Sequence, residues 1–167
     1  NATTSNDAKM WLMRARTYLA IDRDKLGEEG VSCIIDAEAI ATASTAIINC
    51  HKVDTKQKYS RSRDAYEAFV GIAVNAQNIA ITAYNDKNYE RAIQYYQIPR
   101  DLIPFDDQSL IKRQNITSDG LLNSIAYTEY KSEKYDDAKT HYNELIGMSY
   151  NDPLIYLDLY EIYLKVD

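Results

Sequence analysis

The stretch NDKNYERAIQYY (Asn85–Tyr96) returns later in the chain as KSEKYDDAKTHY (Lys131–Tyr142). Each carries a tyrosine, an alanine three positions on, and a second tyrosine four beyond that. These are Tyr89, Ala92 and Tyr96 in the first copy, and Tyr135, Ala138 and Tyr142 in the second. The agreement extends upstream. Ala80 stands nine residues before Tyr89 and Ala126 nine before Tyr135, each on a segment whose apolar residues recur at helical spacing. A match of about 30 residues without a gap predicts one helix–turn–helix unit used twice. In each unit a small residue of the first helix is expected to face Ala92 or Ala138, so that the two helices approach closely.

The same periodicity covers nearly the whole chain, and no segment alternates as a strand does. Only 5 Gly and 3 Pro punctuate it, which fits long helices joined by few turns. A first helix is predicted from Asp7, its N-cap, to Asp22, with Trp11, Ala15, Tyr18 and Leu19 on one face. DRDKLGEEG (Asp22–Gly30) reads as a loop. A second helix covers Ser32 to His51, with Ala39, Ala43, Ala46 and Ile47 on a narrow face. A third, from Ser60 to Tyr84, holds Ala65, Phe69, Ile72, Ala73, Ala76, Ile79, Ala80 and Ala83 in register over about 37 Å. The fourth starts at Tyr89, and Pro99 should kink or end it, with Pro104 beyond. The polar segment from Phe105 to Gly120 is expected to hold a short helix near Ser109–Gln114, with Ser118 or Asp119 capping the fifth helix. That fifth helix covers Leu121–Ser132 and the sixth Tyr135–Ile146; Asp152-Pro153 opens the seventh, which continues to Asp167.

A hydrophobic content of 46% is ordinary for a globular protein and argues against disorder. The aromatics are lopsided, 15 Tyr against 2 Phe and 1 Trp, which suits half-buried interfaces. The net charge of −6 argues against nucleic acid as the main partner. The local cluster Lys52, Lys56, Lys58, Arg61 and Arg63 is interrupted by Asp54 and Asp64, and reads as a solvated loop and helix start. No apolar run approaches the roughly 18 residues of a membrane span. The chain opens on NATTSND rather than on methionine, so a trimmed start is expected, and a leader or lipid signal before it stays open. Cys33 and Cys50, placed on one helix, would stand about 25 Å apart, too far for a disulfide; two free, buried thiols are expected. His141 is expected as an ordinary surface histidine. Adjacent Cys50 and His51 point about 100° apart on a helix, which argues against a nucleophile–base pair. No phosphate loop, nucleophile elbow or zinc-binding helix motif occurs. The sequence therefore points to no catalytic residue, metal or cofactor.

Taken together, the repeated segments resemble the tetratricopeptide repeat, a helix–turn–helix unit of about 34 residues. The family's first-helix pattern matches Ala76, Ile79, Ala80 and Tyr84, then Leu122, Ile125, Ala126 and Tyr130. Its second-helix pattern falls on Tyr89, Ala92, Tyr96 and Pro104, then on Tyr135, Ala138, Tyr142 and, after a delay, Pro153. PLIYLDLYEIYLKVD is similar to a further first helix through Tyr156, Leu159, Tyr160 and Tyr163, and it stops where a partner helix should begin. The resemblance implies an all-α, right-handed superhelix of about seven antiparallel helices. Its parts are a divergent N-terminal hairpin (1–58), a repeat with an extended first helix (59–104), an insertion (105–118), a regular repeat (119–152) and the first helix of another (153–167). Tyr89 and Tyr135 are 46 positions apart, about twelve more than one unit, and the insertion holds the excess.

In such arrays the first helices line a concave face. The resemblance puts Gln77, Asn78, Ile81 and Tyr84 there from the third helix. From the fifth it adds Asn123, Ser124, Tyr127, Tyr130 and Lys131. It implies a non-enzymatic scaffold binding a peptide or protein segment. The alternatives are a glycan-binding helical-repeat protein of a bacterial envelope, or one end of a larger array. The layout is similar to envelope-associated repeat proteins of Gram-negative bacteria. That implies a periplasmic or outer-membrane-associated place, with a cytoplasmic one left open.

Overall fold

A computed structural model describes residues 6–23 and 38–166 of the 167-residue chain. It is all-helical, with no strand among the described residues. The helices are α1 (Ala8–Arg23), α2 (Ala39–Val53), α3 (Arg63–Asn85), α4 (Tyr89–Leu102), α5 (Ser118–Lys131), α6 (Tyr135–Gly147) and α7 (Pro153–Val166). Each packs against the next along the chain, and α1 also touches α3. The expected loop at 24–30, the start of the second helix at Ser32, and Cys33 lie outside the described residues. α2 is described from Ala39, after a turn at Glu38.

The turns show why the repeated segments fold alike. After α3, Lys87 takes a left-handed backbone (φ 59°); after α5, Glu133 does the same (φ 63°). Around Lys87, the Asn88 N–H donates to the Ala83 carbonyl (2.8 Å) and the Lys87 N–H to the Tyr84 carbonyl (2.9 Å). Around Glu133, the Lys134 N–H reaches the Glu129 carbonyl (2.9 Å) and the Glu133 N–H the Tyr130 carbonyl (3.2 Å). Both close the helix with paired bonds that satisfy its last free carbonyls. α6 ends the same way, with Ser149 left-handed and Tyr150 bonded back to Leu145. Ala80, Ala92, Ala126 and Ala138 are all fully buried, as the small-residue reading requires.

Several boundaries differ from the periodicity. α3 starts at Arg63, capped by the Ser62 hydroxyl, because Ser60 is drawn into the preceding loop. There the buried Asp54 carboxylate accepts hydrogen bonds from the Tyr59 N–H (2.6 Å), the Ser60 N–H (2.7 Å) and the Ser60 hydroxyl (2.9 Å). Burial pushes the Asp54 pKa up, but these donors outweigh it and hold it below the usual carboxylate range. Pro99 does not end α4. The helix runs on to Leu102 and into a 3-10 turn at Ile103–Phe105, because Ile98, Pro99 and Leu102 are all held in the core. On α1, Leu12 is buried while Trp11 and Tyr18 sit at the rim beneath Arg14.

The segment 105–118, expected as an insertion, is anchored, not merely polar. Its regular structure is a 3-10 turn at Lys112–Gln114, and the cap of α5 is Thr117, whose hydroxyl accepts from the Gly120 N–H. Asp106 receives the N–H groups of Leu110 (2.7 Å) and Ile111 (2.9 Å), folding the segment so that Ile111 and Ile116 plug the core.

Buried apolar residues divide into two clusters. One joins α1–α4, the insertion and the inner positions Leu121 and Ile125 of α5. The other lies among α5, α6 and α7, around Leu122, Ala126, Tyr142, Leu145, Leu159 and Ile162. α7 buries Ile155, Leu159 and Ile162, and leaves Tyr156, Leu157, Tyr160, Tyr163 and Leu164 exposed. No helix is long and apolar enough to cross a membrane among the described residues.

Candidate functional site

Tyrosines from successive helices join into one ladder. Tyr84 at the end of α3 meets Tyr89 of α4 (ring centroids 5.8 Å) and Tyr127 of α5 (6.0 Å). Tyr127 meets Tyr130 (6.2 Å), and Tyr130 meets Tyr135 of α6 (6.4 Å). The spacing comes from the helices themselves. Tyr84 stands last but one on α3, and Tyr127 and Tyr130 lie three apart on α5, so neighbouring helix ends bring the rings together.

Two ammonium groups cover part of the ladder. Lys131 Nζ lies 4.9 Å from the Tyr127 ring and 4.8 Å from the Tyr130 ring. Lys165 of α7 lies 5.5 Å from Tyr130 and 5.4 Å from Tyr135. The Tyr130 hydroxyl donates to the Glu161 carboxylate. That bond, followed by burial, pushes the Tyr130 phenol up to about 12. Burial beside Tyr127 does the same for Tyr84, also to about 12. Both hydroxyls therefore stay protonated and neutral.

Beside the ladder, α5 and α7 frame a cleft of about 320 Å³, lined by Asn123, Ser124, Tyr127, Asp152, Leu154, Ile155 and Asp158. A larger cavity, about 620 Å³, lies along the N-terminal half of α3 against Leu110 of the insertion, with Tyr66, Val70 and Val74 in its wall.

The predicted groove residues separate into groups. Tyr84, Tyr127 and Lys131 meet in the ladder, while Asn123, Ser124 and Tyr127 line the cleft. Ile81 is exposed and Gln77 half-buried on α3. Asn78 faces elsewhere, into a cavity with Thr82, Asp86, Asn88 and Arg91. Tyr130 requires a correction. It is only 7% exposed, so it supports Tyr127 from below and is not itself a contact surface.

Other positions escaped sequence reasoning. Asp158 accepts a hydrogen bond from the Tyr142 hydroxyl (2.7 Å), fixing one carboxylate oxygen at the cleft. Its signal was a lone acid between Leu157 and Leu159. His141 is not an ordinary surface residue: its Nδ1 lies 2.7 Å from the Glu129 carboxylate, and Glu129 is only 5% exposed. Burial pushes the Glu129 pKa up, partly offset by His141. Leu121, Ile125 and Glu129 recur every four residues, a spacing from which the core position of Glu129 could have been read.

The Cys50–His51 neighbourhood offers no presented nucleophile. Cys50 is fully buried, and burial, then Asp54, pushes its thiol up to about 11. The His51 ring stands 5.5 Å from Phe69 and 5.7 Å from Phe105, where burial pulls its pKa down. Among the described residues no group of three or more His, Cys, Asp or Glu side chains could hold a metal ion. Comparison with protein-family models, curated proteins and solved structures finds no match.

Proposed function

We propose that the protein is a non-enzymatic scaffold of tetratricopeptide type, a short right-handed superhelix binding an extended peptide or protein segment along its inner face. The observation carrying this reading is the ladder Tyr84–Tyr127–Tyr130, which crosses from α3 to α5 beside an open cleft. Tyr127 is 38% exposed. Tyrosine offers a peptide both ring area and a hydroxyl, with few rotors to freeze on binding. The matched turns at Lys87 and Glu133 and the buried alanine pairs support the stacked-hairpin architecture.

Selection of a phage-displayed dodecapeptide library on the full chain tests the proposal. Enriched peptides should lose about tenfold or more in affinity on Tyr127→Ala. Tyr156→Ala, on the outward face of α7, should leave them unchanged. Binding that ignores Tyr127 but falls with Tyr156 would overturn the reading.

A further inference from the structure

The cleft between α5 and α7 has a chemistry of its own. Its walls are apolar and aromatic at Leu154, Ile155 and Tyr127, and its charged lining consists of two carboxylates, Asp152 and Asp158, with no lysine or arginine. Among the described residues neither carboxylate forms an ion pair within 4.0 Å. Both are nevertheless held in place. Asp152 Oδ1 accepts from the Leu154 N–H (3.0 Å) at the start of α7. Asp158 Oδ2 accepts from the Tyr142 hydroxyl (2.7 Å), and Tyr142 is fully buried, so the α6 core fixes the orientation of that acid. The cleft thus presents preorganised negative charge beside a ring. Lys131, the cation over that ring, sits one helical turn beyond the cleft and does not line it.

We propose that this cleft receives a basic side chain, an arginine or lysine of the bound segment, with Asp152 and Asp158 as its counter-charges. This rests on the reading of the inner face as a peptide groove and names what the groove selects. The aliphatic stem of the guest lies against Leu154, Ile155 and Tyr127, and its cationic head reaches the carboxylates. An acidic guest meets two like charges. An apolar guest strips water from both carboxylates and returns no hydrogen bond. Charge complementarity therefore favours a basic guest, with the Tyr127 ring serving as an apolar wall for its stem.

The test starts from peptides enriched in the phage-displayed library. Arginine or lysine should dominate one position. Replacing that arginine by citrulline, which keeps the shape and removes the charge, should weaken binding to the wild-type chain about tenfold. The Asp152→Asn/Asp158→Asn double variant should bind the arginine and citrulline peptides equally. Asparagine retains an oxygen to accept from the Leu154 N–H and from the Tyr142 hydroxyl, and an unchanged thermal midpoint checks that the fold is kept. The citrulline exchange leaves the protein untouched and stands independently of the variant. Peptides that bind in a Tyr127-dependent way without a basic preference overturn this inference and leave the groove reading intact. So does a basic preference that survives the double variant. If no enriched peptide responds to Tyr127→Ala, both readings fall.

Discussion

The hairpins α3–α4 and α5–α6 share a signature but differ in what their signature residues bond to. Their turns close with the same pair of backbone bonds, and each buries an alanine pair. Around the first, the core is built largely of alanine, isoleucine and leucine from α1–α4, with Ile111 and Ile116 of the insertion closing it. Around the second, polar ties accompany the apolar contacts: Tyr142 to Asp158, Tyr130 to Glu161, and Glu129 to His141. The tyrosines at matching positions show the contrast. Tyr96 shares its core with the insertion's isoleucines, while Tyr142 ends on a carboxylate of α7. A repeat signature therefore specifies how two helices meet, and leaves the next neighbour to decide what the signature residues bond to.

The largest test of this contrast is core truncation in each half. Ile72→Ala and Leu145→Ala each remove a fully buried side chain and should cost about 2–5 kcal/mol. In amide exchange, Ile72→Ala is expected to lower protection chiefly in α1–α4, and Leu145→Ala chiefly in α5–α7. Equal loss throughout would show one cooperative unit and erase the distinction.

A smaller effect isolates a polar tie. Tyr142→Phe keeps the ring and deletes the hydroxyl bonded to Asp158. It should destabilise the protein by about 1–2 kcal/mol in urea denaturation. Tyr96→Phe, in the hairpin without a matching carboxylate, should cost less. A larger loss at Tyr96 would reverse the comparison.

The smallest expected effect is in pH. Burial lowers the His51 pKa from its ordinary 6.5, so the unfolded chain takes up that proton first as pH falls. Its contribution to stability around the first hairpin is therefore present above pH 6.5 and lost as pH falls below it. Glu129 has the opposite sign: burial raises its pKa from 4.5. Its contribution is present below pH 4.5 and lost as pH rises through the folded value. Between about pH 7 and 5, amide protection corrected for intrinsic rate should fall around α2–α3 and hold or rise around α5–α6. His51→Phe should remove the first trend and Glu129→Gln the second.

Much of the helical layout was legible because local rules govern it. Asp7 and Asp152 cap where their side chains predicted, and the α3 stripe from Ala65 to Ala83 is buried with Ile79 at its edge. The candidate site was less so. The resemblance points to Tyr84, Tyr127 and Lys131, but the burial of Tyr130 depends on Glu161 and Lys165, far along the chain on α7. Pro99 misled for a related reason: a lost local hydrogen bond was outweighed by packing on both sides.

By itself, then, the sequence determined the helices, their turns and the doubled tyrosine–alanine–tyrosine unit, since these rest on spacing and on bonds between near neighbours. Only the tertiary structure decided which tyrosines stay exposed, which acids line the cleft and where the insertion plugs. Those outcomes depend on which helix packs beside which, and burial and pairing between distant residues leave no fixed spacing in the chain.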